Sequence, residues 1–352
     1  MNSQIILSAV GDIIPGDHPL YFGVGTKSLI NKNKKFIFEF VGKFLSKSEI
    51  VFGNLETIIS DTNISHKYKN LIMRGNPNFI QQIKGAHFNI LNIANNHIQQ
   101  HGLKPMTETI DILKKNNIKI IGMDKLQPQI IVCENIKFGF LGYSLHQEQF
   151  GNKTFYSYGN KKKFLSDVTK LKPQIDYLII SLHWGNEYIE IPSKNQIELA
   201  HQLIDSGVNV ILGHHPHVLQ PIEKYHHGII AYSLGNFVSD MCQEKTKQSI
   251  ILNILFNKKK DIEFEVIPIY INKNYQPEPA ENIRKQNILS IVNNQEHFLL
   301  SQKDYQKKLK HCLKKNRHEY KIFLLKTFYK FPIKNLLGIL SSTIKRKIKN
   351  VF

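Results

Sequence analysis

The sequence predicts an α/β protein in which two β-sheets pack face to face between two layers of helices, a four-layer αββα sandwich. The first observation is that short β-branched runs alternate with helical patterns over most of the chain, which is typical of a layered sheet with parallel strands. The second is that further β-type runs after Gln129 follow one another without helices between them. We therefore expect a second sheet that packs on the first.

The strands of the alternating part are apolar on both faces, as a sheet covered on both sides requires. We predict them at residues 5–10, 50–52, 90–93, 119–121, 177–182 and 208–212. Helices are predicted at residues 37–45, 77–85, 103–116, 161–172 and 194–206. The additional strands are predicted at residues 130–133, 137–142, 228–233, 249–256 and 262–270, the last two forming a hairpin. Two prolines within residues 275–279 indicate a linker.

Charge divides the chain unevenly. The 352 residues carry a net charge of +19, but residues 284–352 hold 17 Lys and Arg against three Asp and Glu. We therefore predict a main domain over residues 1–275 and a basic helical tail over residues 284–352. Such a tail could bind anionic lipid, nucleic acid or an acidic polymer. Apolar clusters between its lysines favour contact with a membrane surface or a partner, and no nucleic-acid module is recognisable.

The remaining composition limits the class of protein. The sequence shows neither a signal peptide nor a run of about 18 apolar residues, which predicts a cytoplasmic protein. Peripheral attachment to the inner face of the membrane through the basic tail is a further hypothesis. Three scattered cysteines, Cys133, Cys242 and Cys312, argue against a disulfide framework and against a thiolate zinc site.

Polar side chains follow five of the predicted strands, at the edge where open α/β sheets place their sites. They are Asp12; Asn54 and Glu56; Asn95, Asn96 and His97; His183; and His214, His215 and His217. Carboxylates, imidazoles and an amide oxygen suit divalent cations such as Mn²⁺, Zn²⁺ or Fe²⁺. Two such ions can clamp an anionic substrate and activate a water between them, so we predict one or two divalent ions here.

Taken singly, most of these residues have an ordinary structural explanation. Asp12 and the two asparagines before His97 could belong to turns, and Glu56 could lie in the first turn of a helix. His183 could be a buried core histidine. The segment hardest to explain in this way is 213–217, GHHPH, in which three imidazoles lie within four residues after a glycine.

In this order, the motifs resemble those of the calcineurin-like metallophosphoesterases and, more closely, those of the capsule synthesis protein CapA family. The resemblance extends from about residue 5 to residue 239 and includes three long blocks, residues 181–188 (SLHWGNEY), 213–221 (GHHPHVLQP) and 232–237 (YSLGNF). It implies a four-layer sandwich of the metallo-dependent phosphatase type with a divalent metal centre. The charge pattern adds a basic helical C-terminal appendage to this fold.

The resemblance also implies a role for each matching residue. The implied metal ligands are Asp12, Glu56, Asn96, His183, His215 and His217. His97 corresponds to the catalytic histidine that donates to the leaving group or stabilises the transition state. The residues implied to surround the ions or the substrate are Asn54, Asn95, Glu187, His214 and Asn236.

Three departures from the family pattern concern the metal. Metallophosphoesterases usually begin with Asp-x-His, whereas Asp12 is followed by Ile13 and Ile14. Glu56 stands where an aspartate usually bridges the ions, and Gln100 stands where capsule-family members tend to carry an aspartate. One ion rather than two is therefore an open alternative.

The resemblance implies a metal-dependent hydrolase that acts on a phosphoester or an amide in capsule or poly-γ-glutamate metabolism. An alternative is a non-catalytic accessory subunit that binds an acidic polymer for capsule ligation or export. In either case the expected ligand is an anionic polymer or a phosphoester, and nucleic acid is not expected.

Overall fold

The first sheet of the protein is built around its N-terminal strand. The computed structural model describes residues 4–33, 35–62, 71–257, 261–294 and 300–327. Its strands are β1 (Ile5–Ile13), β2 (Ile50–Leu55), β5 (Ile90–Asn92), β6 (Lys119–Ile121), β14 (Gln248–Phe256), β15 (Ile262–Ile271) and β16 (Pro277–Pro279). On one side of β1 the sheet continues with the parallel strands β2, β5 and β6. On the other side it continues with β14, β15 and β16, each antiparallel to its neighbour. A short strand, β13 (Asn236–Val238), pairs in parallel with the carboxyl end of β1.

The second sheet has a parallel centre with one antiparallel strand at each edge. Its strands are β7 (Gln129–Cys133), β8 (Ile136–Ser144), β9 (Tyr177–His183), β10 (Val210–His214), β11 (Ile222–Tyr225) and β12 (Gly228–Ala231). Their order in the sheet is β11-β12-β10-β9-β8-β7. Two very short strands, β3 (Ile58–Ile59) and β4 (Arg74–Gly75), pair with each other beside the first sheet.

Helices cover the outer face of each sheet. The first sheet is covered by α1 (Thr26–Asn33), α2 (Gly42–Leu45), α3 (Phe79–Gly85) and α4 (Leu103–Lys115), and the second by α5 (Lys161–Leu171) and α6 (Lys194–Asp205). Two further helices, α7 (Asn282–Val292) and α8 (Gln302–Thr327), follow the last strand. Because successive residues of a strand face opposite sides, Val51 packs with the helices of the first side whereas Phe52 packs between the sheets. Likewise Ile179 lies between the sheets and Ile180 packs against α5 and α6. The predicted four-layer αββα sandwich is confirmed.

The division of strands between the sheets differs from the prediction. β9 and β10 were expected in the first sheet but belong to the second, and the hairpin of β14 and β15 joins the first sheet beside β1. Periodicity reports which residues are buried, but it does not report which strand is the hydrogen-bonding neighbour. The linker predicted at 275–279 is wrong, because three of its residues form β16 at the sheet edge, where prolines are tolerated.

Most helices begin and end within two residues of the prediction, with two exceptions. The predicted helix 37–45 is an α-helix only over Gly42–Leu45, and α1 was not predicted. Within the predicted tail, α7 buries Ile288 and Val292 between the sheets, and α8 packs Tyr305 against Ile189 and Ile191. The tail boundary at 284 stays a prediction, and residues 328–352 lie outside the described residues. None of the described helices has the length and apolarity needed to cross a bilayer.

Two buried carboxylates, Asp17 and Asp240, lie at the N-terminus of α1. Asp240 Oδ2 accepts hydrogen bonds from the backbone N–H groups of His18 at 3.0 Å and Thr26 at 3.1 Å. Asp17 accepts from the backbone N–H and the hydroxyl of Ser28. Both carboxylates therefore bind backbone amides at the positive end of the helix dipole.

We expect Asp240 to make the protein less stable as the pH rises. Burial, together with the charge of Asp17, raises the pKa of Asp240 from 3.8 to about 8. The folded chain therefore keeps a proton that the unfolded chain releases, and stability falls between about pH 4 and pH 8. Asp240→Asn should not show this part of the fall. Between pH 4 and pH 8 its free energy of unfolding should therefore rise relative to that of the wild type by at least about 1.4 kcal/mol, the value of one pKa unit.

Urea unfolding of both proteins at pH 4, 6 and 8 measures this difference, because all other titrating groups are shared. Parallel stability curves for wild type and Asp240→Asn would show that Asp240 is ionised in the folded protein throughout this range.

Candidate metal centre

The carboxyl ends of β1 and β2 in the first sheet meet those of β9 and β10 in the second. Two glycines, Gly11 and Gly213, allow the backbone segment before β13 to pass between these strand ends. A Cβ on Gly11 would lie 2.0 Å from the carbonyl oxygen of Gly235, and one on Gly213 would lie 2.0 Å from that of Tyr232. The backbone N–H of Asp12 donates to the Gly235 carbonyl at 2.9 Å. Neither Gly11 nor Gly213 therefore has room for a side chain.

Asp12 is a fully buried carboxylate at the centre of this junction. It accepts hydrogen bonds from Asn54 Nδ2 at 2.8 Å, from His214 Nδ1 at 3.1 Å and from the backbone N–H of His215 at 3.3 Å. Its second oxygen lies 3.4 Å from His217 Nδ1. Burial raises the pKa of Asp12, but the hydrogen bonds from His214 and His217 outweigh it and hold the pKa well below the ordinary value. Asp12 is therefore an ionised anchor.

Glu56 follows β2 and is fully buried. Among the described residues, neither of its carboxylate oxygens has a hydrogen-bond partner. Oε1 lies 3.6 Å from His183 Nε2 and 3.7 Å from His217 Nε2. Burial raises the pKa of Glu56 well above its ordinary value, and the nearby Asp12 adds to this against the opposing influence of His217. A buried carboxylate without donors is costly, so its position fits a bound cation.

His183 and His215 form the side of the centre that belongs to the second sheet. His183 Nε2 lies 2.9 Å from Asn96 Oδ1, and the two imidazole ring centroids are 4.7 Å apart. Burial lowers the pKa of both imidazoles well below the ordinary value. They therefore present neutral rings, which is the form of histidine that binds metal ions.

Asn236 orients His217. β13 places Asn236 beside Asp12 in the strand register, and its Oδ1 lies 3.0 Å from His217 Nδ1, which leaves Nε2 towards Glu56. An outer hydrogen bond of this kind orients imidazole ligands in metal sites. His217 and His215 also have φ angles of 58° and 95°, a region that residues with side chains rarely adopt. Such strain is concentrated at functional sites.

His97 is held by its neighbours in a tight turn. Asn95 Oδ1 accepts from the backbone N–H groups of His97 at 3.2 Å and Ile98 at 3.0 Å, and Asn95 Nδ2 donates to the carbonyl of Leu55. His97 Nδ1 lies 2.7 Å from Gln100 Oε1. Because an amide oxygen can only accept, Nδ1 carries the proton, and Nε2 is the nitrogen left for chemistry.

Three groups of side chains each bring one donor atom per residue within 4.8 Å of one another. They are Asp12, Glu56 and His217; Glu56, His183 and His215; and Glu187, His215 and His217. The first two groups share Glu56, and Asn96 joins the second through His183. Asn54, Asn95, Asn236 and His214 lie behind these groups as hydrogen-bond partners. At the position of the missing family histidine, Ile14 is buried and offers no ligand atom.

His146 is a member of the centre that sequence reasoning missed. Its ring centroid lies 3.9 Å from that of His215 and 5.8 Å from that of His183. Its Nε2 is buried and has no hydrogen-bond partner among the described residues. The backbone of His146 is held by the hydroxyls of Ser144 and Tyr156. The available signal was its place just after β8, but the strand was predicted to end at 142.

The fold and this junction define a class of protein, an αββα sandwich with carboxylates and imidazoles grouped like metal ligands where the two sheets meet. A family model described as Bacterial capsule synthesis protein PGA_cap matches residues 6–241. The chain belongs to this family, which confirms the resemblance found in the motifs.

Relatives extend the similarity beyond the family model. The chain is 30% identical over 307 residues to the Capsule biosynthesis protein CapA of Bacillus anthracis, covering 81% of this chain and 72% of the relative. It is 29% identical over 314 residues to the PGA biosynthesis protein CapA of Bacillus subtilis (strain 168), covering 84% and 80%. Among solved structures, a 5′-nucleotidase from Candida albicans SC5314 has 14% identity and a TM-score of 0.43, covering 90% of this chain and 58% of that structure.

Proposed function

We propose that the protein is a metal-dependent hydrolase that acts on a phosphoester or an amide bond in cell-surface polymer metabolism. The observation that carries this proposal is Glu56, a buried carboxylate that has no hydrogen-bond partner in the described part of the chain and faces one imidazole from each of two ligand groups. Desolvating such a group costs free energy unless a cation compensates for it. Its position therefore supports an electrostatic role rather than a packing role.

The donor set fits one or two divalent ions of the Mn²⁺, Zn²⁺ or Fe²⁺ type. Asp12, Glu56 and His217 would hold one ion, and Glu56, His183 and His215 would hold the other, with Asn96 beside His183. When bound, such ions polarise the substrate and lower the pKa of a water molecule.

The residues around the ions supply position and a proton. Asp12 and Asn236 fix the ring of His217, and Asn96 fixes that of His183. His97, steadied by Gln100 at Nδ1, is placed to carry a proton on Nε2 and to deliver it to the leaving group. After that transfer His97 is neutral with its remaining proton on Nδ1, the tautomer that Gln100 favours.

The family name and the relatives' names support a polymer as the context of the reaction. One relative is named for capsule biosynthesis and another for PGA biosynthesis. We therefore propose an anionic polymer or a phosphoester as the substrate. The exposed lysines of α8 would attract it, since α8 packs against the loop that follows β9.

A second function is supported by the buried Ile14 at the place of the family histidine. A centre with fewer ligands could bind an acidic polymer without hydrolysing it, as an accessory subunit for capsule ligation or export. For either function we propose a cytoplasmic protein whose basic surface contacts the inner face of the membrane. Co-sedimentation with anionic vesicles tests that contact, and its absence at low salt would refute it. The full-length chain is used, because removal of the predicted tail would also remove the buried Ile288 and Val292.

Elemental analysis of the purified protein and a hydrolysis screen with divalent metals test the function. We expect at least one ion per chain and turnover of model phosphodiesters or amides. The double variant His215→Ala, His217→Ala should lose the ion, whereas His227→Ala on the exposed turn between β11 and β12 should keep it. Unchanged metal content in the double variant would refute the proposal. Tight polymer binding by metal-free protein without turnover would favour the accessory function.

A further inference from the structure

The loop after β9 is pinned onto the loop after β10. The backbone N–H of Trp184 donates to the carbonyl of His214 at 3.0 Å, and that of Tyr188 donates to the carbonyl of Pro216 at 2.8 Å. Gly185 and Tyr188 have φ angles of 84° and 66°, which turn the chain back between these two hydrogen bonds. The loop therefore follows the segment that carries the two histidines.

This path brings Glu187 against both histidines. A carboxylate oxygen of Glu187 lies within 4.8 Å of donor nitrogens of His215 and His217. His215 belongs to the group with Glu56 and His183, whereas His217 belongs to the group with Asp12 and Glu56. Glu187 thus faces one imidazole from each of the two groups, as Glu56 also does.

The two carboxylates differ in burial. Glu56 is fully buried, whereas Glu187 is half-buried and keeps some contact with solvent. Its loop is also supported from outside, because Asn186 Nδ2 donates to the hydroxyl of Tyr305 in α8 at 2.9 Å. The position of Glu187 therefore depends on three contacts that do not involve its own side chain.

We propose that Glu187 is a metal ligand, which would hold an ion together with His215 and His217 and, like Glu56, would serve both ion positions. It would supply an oxygen donor that compensates for the imidazole absent at Ile14. With Asp12 and Glu56, it would place three negative charges around two divalent ions, which leaves one positive charge for an anionic substrate. This inference rests on the proposed function, because it requires that the centre binds metal.

Mn²⁺ titration of the full-length chain, followed by calorimetry and by metal content after gel filtration, tests the inference without an activity assay. Glu187→Gln should lose one of two Mn²⁺ ions, or bind Mn²⁺ at least about tenfold more weakly if one ion is present. Glu187→Asp keeps the charge on a shorter side chain and should bind better than Glu187→Gln. Glu190→Gln, three residues further on and paired with Lys245 rather than with the histidines, should bind like the wild type.

The outcomes separate this inference from the function on which it rests. If Glu187→Gln binds Mn²⁺ with the stoichiometry and affinity of the wild type while His215→Ala does not, the ligand role of Glu187 is refuted and the metal centre stands. If the wild type itself takes up neither Mn²⁺ nor Zn²⁺, the metal centre and the role of Glu187 are both refuted. Thermal unfolding of each variant without metal shows whether a loss of binding reflects misfolding.

Discussion

Replacing Glu56 with glutamine is expected to make the metal-free protein more stable and to abolish its stabilisation by divalent ions. In the metal-free protein Glu56 is buried beside Asp12, and no described residue donates a hydrogen bond to it. Removing its ionisable carboxyl should raise the free energy of unfolding near pH 7 by at least about 1.4 kcal/mol, the value of one pKa unit, because folding then no longer requires a proton to be taken up at this position. With metal, the wild type should gain about 2.7 kcal/mol at an ion concentration of 100 times the Kd, and the variant should gain little. Hydrolysis should fall about 10²- to 10³-fold, because under the proposed function Glu56 would hold both ions.

Thermal unfolding with and without Mn²⁺ measures both effects on the same samples. Glu263→Gln is a matched control, because Glu263 is an exposed carboxylate on β15 near the end of the sheet remote from the centre. The control should show the metal-induced shift of the wild type. A Glu56→Gln variant that is stabilised by Mn²⁺ as strongly as the wild type would show that Glu56 is not a ligand.

The opposite signs of these two effects distinguish a ligand from a structural residue. A carboxylate that served packing alone would lose stability on replacement, with or without metal. Asn54, two residues before Glu56, offers the contrast, since its side chain donates to Asp12 and accepts from Asn92. Its removal would leave buried partners unsatisfied, so it should destabilise the protein in both conditions.

The residues that lie at strand ends could be predicted from the sequence because the pattern is local. An apolar run that ends in Asp12, Glu56 or His183 specifies both the strand and the place of the side chain at its end. The four layers followed from the same runs, since burial on both faces requires covering layers. Local patterns therefore sufficed wherever a residue's position depends on its own strand.

Other features depend on contacts between distant segments and could not be predicted. β14 lies beside β1 because ladder hydrogen bonds join residues about 245 positions apart, and no periodicity encodes that choice. His146 enters the centre through the hydroxyls that hold its backbone, and Glu187 through a loop pinned by Tyr188. These positions follow from hydrogen bonds formed only in the assembled fold.

Gln100 shows how a departure from a family pattern can be interpreted once the geometry is known. The sequence indicated that an aspartate common in the family was missing after His97. In the structure the amide oxygen of Gln100 lies 2.7 Å from His97 Nδ1. A neutral acceptor fixes the same tautomer as a carboxylate, but it stabilises a protonated ring less. Under the proposed function, the departure would therefore change the strength of the acid rather than its orientation.

His97→Ala should reduce hydrolysis about 10²- to 10⁴-fold, the usual contribution of a general acid, without loss of metal. The loss should be greatest for substrates whose leaving group is a poor one, such as an alkoxide, because these depend most on the proton from Nε2. For a p-nitrophenolate leaving group, which departs readily without a proton, the loss should be smaller. Gln100→Leu should show the same trend more weakly, since it removes the acceptor that orients His97.

Rate constants for the two substrate types, together with the metal content of each variant, test whether His97 donates a proton. Equal losses on both substrates, or loss of metal from His97→Ala, would show that His97 positions an ion or the substrate and does not donate a proton.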